Sequence, residues 1–142
     1  MENRDLIRRW FEEVWNQGRE ETIDELAAPQ SVIHGLGDDN KQLRGPDGFR
    51  EFYNHFRGAF SEFHVDVHDV IAEGDKVVTR LTFTGKHSGD GLGIAPTNRN
   101  FKSSAIVITQ WRNGQITDSW NEFDAAGMMQ QLQPPPPMKL RA

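Results

Sequence analysis

His34 is the side chain whose type and position best suit proton transfer near neutral pH. It follows Val32 and Ile33 at the end of a short apolar run, and a neutral imidazole there can take up a proton. The alternative is a histidine simply hydrogen-bonded in a loop. Asp124 stands directly before AAGMMQQL, where an aspartate caps a helix by accepting a backbone N–H. Its second carboxylate oxygen could still face a site and orient a histidine. His87 lies in a glycine-rich stretch and either lines a site or braces the loop. Tyr53 falls on the apolar face of a helical pattern, as a site hydroxyl or as a core residue with one satisfied hydrogen bond.

Two other chemistries are tested by other residues. His64, Asp66 and His68 alternate along one strand, so they share a face and could offer a metal two imidazoles and a carboxylate. Phe63, Val65 and Val67 claim the buried face, which leaves that triplet in solvent, and no metal site is expected. Gly89, Gly91 and Gly93 precede a strand pattern and not a helix, so they do not form a dinucleotide-binding turn. With no cysteine there is no disulfide framework and no thiolate nucleophile or ligand. No cofactor is expected.

The elements that position these groups belong to one domain. A chain of 142 residues buries roughly two thirds of its unfolded surface. A net charge of −5 without a basic cluster argues against nucleic acid, whose phosphates require gathered Lys and Arg. Neither a signal-peptide core nor a membrane-length apolar run is seen, so a cytoplasmic protein with no membrane partner is expected.

Leu6, Ile7, Trp10, Phe11, Val14 and Trp15 mark one face of a first helix, with Asn3 as its N-cap and Asn16-Gln17-Gly18 as its stop. A second helix carries Ile23 and Leu26 and ends near Pro29. A short strand spans 31–36 and a polar loop spans 35–44. Gly45-Pro46 opens a third helix with Phe49, Phe52, Tyr53, Phe56 and Phe60 inward. From Glu62 the period becomes two, giving strands over 62–68, 76–86, 101–111 and 115–123. Asn113-Gly114 forms a hairpin turn between the last pair, and a final helix spans 125–132. Residues 134–142 read as a proline-rich tail after a domain of 1–133. Helices followed by a meander of strands make an α+β fold.

In the strand over 101–111, Ile106 and Ile108 point one way and Ala105, Val107 and Trp111 the other. A sheet apolar on both faces must be covered on both. The helices cover one face, and a second copy of the chain, with Trp120 at its contact, is expected to cover the other.

Residues 86–97, KHSGDGLGIAPT, and 118–132, DSWNEFDAAGMMQQL, carry a resemblance. The motifs are G-x-x-x-G-I-x-P-T (Gly89, Gly93, Ile94, Pro96, Thr97), N-G-x-I (Asn113, Gly114, Ile116) and W-x-x-x-D-x-x-G-x-x-x-Q-L (Trp120, Asp124, Gly127, Gln131, Leu132). With these the chain, from Leu6 to Leu132, resembles the SnoaL-like polyketide and ester cyclases of the nuclear transport factor 2-like (NTF2-like) superfamily. The resemblance implies a cone, with N-terminal helices on a strongly curved, mostly antiparallel sheet that encloses a pocket.

It also implies roles. The cyclases place an acid/base aspartate on the last strand and a histidine on the strand before it, and those positions hold Asn121 and Val107 here. Neither titrates, so Asn121 is left to donate a hydrogen bond to a carbonyl or a developing oxyanion. His34 would lie at the mouth where related isomerases keep their base. His87 matches a histidine frequent in the family, and Trp15, Tyr53, Phe56 and Val107 would shape the cavity.

The expectation is a cofactor-independent enzyme acting by acid/base chemistry on an apolar carbonyl-bearing or cyclic molecule. His34, Asn121 and Asp124 would be its catalytic residues; Trp15, Tyr53, Phe56, His87 and Val107 would bind the substrate. Two alternatives stand beside it. One is a non-catalytic ligand-binding dimer that has lost the cyclase acid, and the other is an isomerase, dehydratase or epoxide hydrolase on the same fold.

Overall fold

The first helix keeps its apolar face by changing its pitch. Its inward residues come in pairs four apart: Leu6 and Ile7, Trp10 and Phe11, Val14 and Trp15. Four residues overshoot a turn of α-helix, which has about 3.6 per turn, and undershoot the wider i→i+5 turn. In the computed structural model, which describes residues 2–37 and 41–133, α1 (Asn3–Arg9) passes directly into a π-helical segment, Trp10–Asn16. The two drifts offset one another and all three pairs stay buried. Glu2 occupies the N-cap in place of the expected Asn3.

Asn16 then joins this helix to the sheet. Its amide donates to the Val65 carbonyl at 3.0 Å and accepts from the Val65 N–H at 2.7 Å, as a neighbouring strand would. The π-helical carbonyls are claimed from a later helix. The Tyr53 hydroxyl donates to Val14 O at 2.8 Å, and the Arg57 guanidinium donates to Trp15 O at 3.2 Å. A Cβ at Gly18 would meet that guanidinium at 2.9 Å, so the chain turns there with no side chain.

Helix α2 (Glu21–Leu26) ends earlier than its proline suggests, because β1 (Ala27–His34) already includes Pro29. A two-residue β2 (Leu43–Arg44), absent from the sequence reading, precedes α3 (Gly45–Ala59). Pro46 sits in the first turn of α3, and Phe49, Tyr53 and Phe56 are buried at three- and four-residue spacing. Each buried phenylalanine contributes roughly 1.5–3 kcal/mol. Phe60, expected on that helix, is instead the first residue of β3 (Phe60–Glu73). The remaining elements are β4 (Lys76–His87), β5 (Asn100–Arg112), β6 (Gln115–Phe123) and α4 (Ala125–Leu132).

One six-stranded sheet results, ordered β2-β1-β6-β5-β4-β3. All its pairings are antiparallel except β1 with β6, which is parallel. Register shifts interrupt β1, β3 and the β5–β6 pair, and such breaks bend a sheet. Its inner face holds Leu81, Phe83, Val107 and Ile116 against the helices. On the outer face one cross-strand row runs Ile71, Val78, Ile108, Trp120, His34. No helix among the described residues is long and apolar enough to cross a membrane. The expected proline-rich tail, 134–142, lies outside the described residues, as do 38–40 of the polar loop.

Candidate functional site

Sheet and helices do not meet everywhere. Between them lies a cavity of about 100 Å³. Trp10, Phe11 and Trp15 come from the first helix, Phe49, Phe52 and Phe56 from α3, and Phe63, Val65, Leu81, Phe83 and Val107 from the sheet. Trp15 packs edge-on to Phe49 and Phe56 at 6.0 and 5.8 Å between ring centres. Leu36, Phe52, Phe63, Ala105, Asn121 and Phe123 are the wall residues that retain partial exposure, so they mark the rim.

Four wall residues are polar: Ser31 on β1, Thr109 on β5, and Ser119 and Asn121 on β6. Thr109 is fully engaged, accepting from the Trp111 indole at 2.8 Å and donating to Val77 O at 3.4 Å. Asn121 uses its amide nitrogen twice, donating to His34 O at 3.0 Å and to Ser119 Oγ at 3.2 Å. The His34 carbonyl can only accept, which fixes the orientation of this amide. Asn121 therefore offers an acceptor, Oδ1, and not the donor the sequence suggests. Ser119 keeps its hydroxyl proton unassigned. Ser31 Oγ, fully buried, has no hydrogen-bond partner among the described residues.

Backbone contact holds Asn121 in place. Gly35 has φ +89°, and a Cβ there would lie 2.0 Å from the Asn121 carbonyl oxygen. Only glycine combines that dihedral with that approach.

The expected site residues divide into two groups. Trp15, Phe56, Val107 and Asn121 line the cavity. His34 does not. Alternation along β1 turns Ser31 and Ile33 inward and sends Val32 and His34 to the outer face, where His34 stacks on Trp120 at 5.4 Å with only 3° between planes. Gln42 donates to its Nδ1 at 3.2 Å, and Asp118 Oδ1 lies 3.9 Å from its Nε2.

Tyr53 is a core residue whose hydroxyl is consumed by Val14 O and Arg57. Asp124 caps α4, accepting from the Gly127 N–H at 2.9 Å. His87 is fully buried but not part of the cavity wall. Its Nδ1 accepts from the Thr97 N–H at 3.2 Å and from the Thr97 hydroxyl at 3.1 Å, bracing the loop 88–99. His64 and His68 are exposed, as expected, and no His/Cys/Asp/Glu group among the described residues could hold a metal ion.

Sequence reasoning passed over Ser31 and Ser119. Period-two alternation from Ile33 and Asn121 was the available signal, since each serine lies two residues from one of these wall positions. No described wall residue is titratable. The strongest electrostatics lie outside, on the helices. Arg9 bridges Glu13 at 2.7 Å and Glu25 at 2.9 Å, which lowers both carboxyls and raises the guanidinium.

Comparison with known proteins places this architecture. Residues 5–132 match the family model of the SnoaL-like polyketide cyclases. An aklanonic acid methyl ester cyclase of Streptomyces peucetius is 30% identical over 134 residues, covering 94% of this chain and 92% of that one. The crystal structure of IdmH from Streptomyces antibioticus superposes with a TM-score of 0.80 at 30% identity, over 92% of this chain and 99% of that one. A Catenulispora acidiphila protein of ketosteroid isomerase-like fold superposes at 0.74 with 13% identity, over 89% and 91% of the two chains. That last likeness concerns the fold alone, and the expected NTF2-like cone is the fold observed.

Proposed function

The chain belongs to the SnoaL-like polyketide cyclase family, and from that premise we propose that it closes a ring within a neutral, largely apolar, carbonyl-bearing molecule. The observation that carries this reading is the cavity wall: aromatic and aliphatic throughout, broken by a polar strip that is uncharged among the described residues. A methyl ester, such as the molecule named for the Streptomyces peucetius relative, is neutral where the free acid would carry a charge. Burying that charge without a partner would be costly.

Ring closure of the aldol type needs no net proton from the protein. The enol carbon bonds to the carbonyl carbon, the carbonyl π pair ends on a hydroxyl oxygen, and the enol oxygen becomes a carbonyl as its proton departs to that hydroxyl. Asn121 Oδ1 is suited to accept the enol O–H, and the Ser119 hydroxyl is suited to donate to the attacked carbonyl. Holding both carbons in contact supplies most of the assistance, as oriented intramolecular reactions show at up to roughly 7–11 kcal/mol. His34, on the other side of the sheet, has no part in this account. A multi-ring molecule exceeds the present cavity, so the rim at Leu36, Phe52, Phe63 and Phe123 has to part for it.

The test is incubation with aklanonic acid methyl ester, followed by chromatography and mass spectrometry. A new isomer of unchanged mass is expected, with a rate that does not follow the ionisation of any wall residue between pH 5 and 8.5. A rate that tracks one ionisation, and loses it when a protein side chain is replaced, would overturn the orientation mechanism. A binder without turnover is the second reading, favoured by the non-titrating pair Val107 and Asn121. Saturable binding of the ester with no isomer formed would establish it.

The same proposal includes a second copy of the chain on the outer sheet face. Ile71 and Ile106 are exposed there beside Val78, Ile108 and Trp120. Lys76 and Arg80 lie across from Asp118 and Glu122, so a two-fold arrangement can pair opposite signs. Light scattering should give twice 16.2 kDa, and Ile106→Asp should halve it. A monomer at all concentrations removes this part.

A further inference from the structure

Three buried side-chain polar atoms lack a hydrogen-bond partner among the described residues: Ser31 Oγ, Thr79 Oγ1 and His87 Nε2. Only Ser31 belongs to the cavity wall. A buried hydroxyl left without a partner costs about 1–3 kcal/mol, a cost that a bound oxygen would relieve. Resting on the reading of the cavity as a ligand site, we propose that the Ser31 hydroxyl is the anchor for a neutral acceptor oxygen of the bound molecule. It would thereby decide which end of that molecule enters first.

The chemistry of the acceptor follows from the wall. No described wall residue carries a charge, so a carboxylate would lose its hydration and gain no cation in return. A ketone, ester or quinone carbonyl meets the requirement: it loses little hydration and accepts one O–H. Direction follows from burial. Ser31 is 1% exposed, whereas Asn121 lies at the partly exposed rim. Ser31 can donate and Asn121 Oδ1 can only accept. A molecule satisfying both carries its carbonyl at the inner end and a hydroxyl or enol at the outer end. Ser31 is a positioning residue in this scheme, since nothing requires it to touch the reacting carbons.

The experiment uses a matched pair, 1-indanone and indane, with indane-1-carboxylate as the charged probe; these two-ring probes also exceed the cavity of about 100 Å³, so they enter by the same parting of the rim. Binding is followed by tryptophan emission, since Trp10 and Trp15 are in the wall. Ser31→Ala should weaken 1-indanone by about 3–10-fold and leave indane within about twofold, the range of one neutral hydrogen bond. Indane-1-carboxylate should bind more weakly than 1-indanone. Equal effects on both neutral probes, no effect on either, or the selective loss appearing in Ser119→Ala instead would overturn the assignment. So would a carboxylate that binds best. If neither neutral probe binds the unaltered protein, the cavity-as-ligand-site reading fails and takes this proposal with it. If 1-indanone binds and ignores Ser31→Ala, only the anchor fails.

Stability without ligand gives a second readout. Because the hydroxyl has no partner among the described residues to lose, Ser31→Ala should melt at the same temperature as the unaltered protein or above it. A fall of more than about 4 °C, equivalent to roughly 1 kcal/mol in a chain of this size, would mean that the hydroxyl is already bonded within the protein.

Discussion

Val107 and Asn121 are direct cross-strand partners on β5 and β6, and both face the cavity. They occupy the two places where the resemblance puts a histidine and an aspartate. Restoring one without the other should be harmful. Asn121→Asp replaces the donor to His34 O with a carboxylate facing a carbonyl, at a cost of about 1–3 kcal/mol. Val107→His combined with Asn121→Asp should introduce a pH-dependent rate that the unaltered chain lacks. Chemical denaturation checks the first expectation and a pH–rate profile the second.

Gly35 has a steric role toward the same residue. Gly35→Ala forces a Cβ against the Asn121 carbonyl at a positive φ, which should cost at least about 1–3 kcal/mol. Denaturant midpoints measure it, and an unchanged midpoint would show that the two strands can part without loss.

Tyr53 gives the opposite test, structural and not chemical. Tyr53→Phe removes the 2.8 Å donor to Val14 O and leaves it the longer 3.4 Å hydrogen bond from Arg57, so a loss of about 0.5–1.5 kcal/mol is expected. The ratio of 1-indanone to indane affinity should stay the same, because the hydroxyl does not reach the cavity.

Glu13 links the first helix to α2. Its carboxylate accepts from Arg9 at 2.7 Å and from the Thr22 hydroxyl at 2.9 Å, and the Arg9 hydrogen bond is the main reason its pKa falls below the ordinary value. A depressed carboxyl contributes stability above its unfolded pKa and loses it as the pH falls through the folded one, so the loss should appear below about pH 4. Glu13→Gln should melt lower at pH 7 by an amount equivalent to about 1–3 kcal/mol. The gap between the two proteins should narrow towards pH 3, as thermal scans would record.

The C-terminal half of the fold was legible because its signals are local. Asn113 and Gly114 both take the positive φ of a tight hairpin. Asp124 supplies the cap that begins α4, and β6 and α4 have the boundaries their pattern implies. The N-terminal half depends on tertiary partners. Pro29 reads as a stop, yet it sits in β1 within the register break between Ala27 and Val32, where its missing N–H costs no ladder bond.

The two adjacent apolar residues Val32 and Ile33 do not reveal which face is inward, and that choice decided His34. The pitch change at Trp10 also left no separate mark, since the same spacing of four fits either helix approximately. Ser31 and Ser119 were silent because an isolated serine in a strand carries no signal until its neighbours have faces.

Pairing the first strand beside the last has a consequence for biogenesis. The His34 carbonyl that holds Asn121 lies 87 residues away from it in the chain. On the ribosome β1 emerges early and waits, its inner edge unmatched, until β6 has left the exit tunnel. The polar strip is thus among the last parts to form, and slow long-range closure of this kind exposes the waiting edge to aggregation. Fragments ending at the β5–β6 hairpin should be captured by chaperones, whereas those extending through α4 should escape.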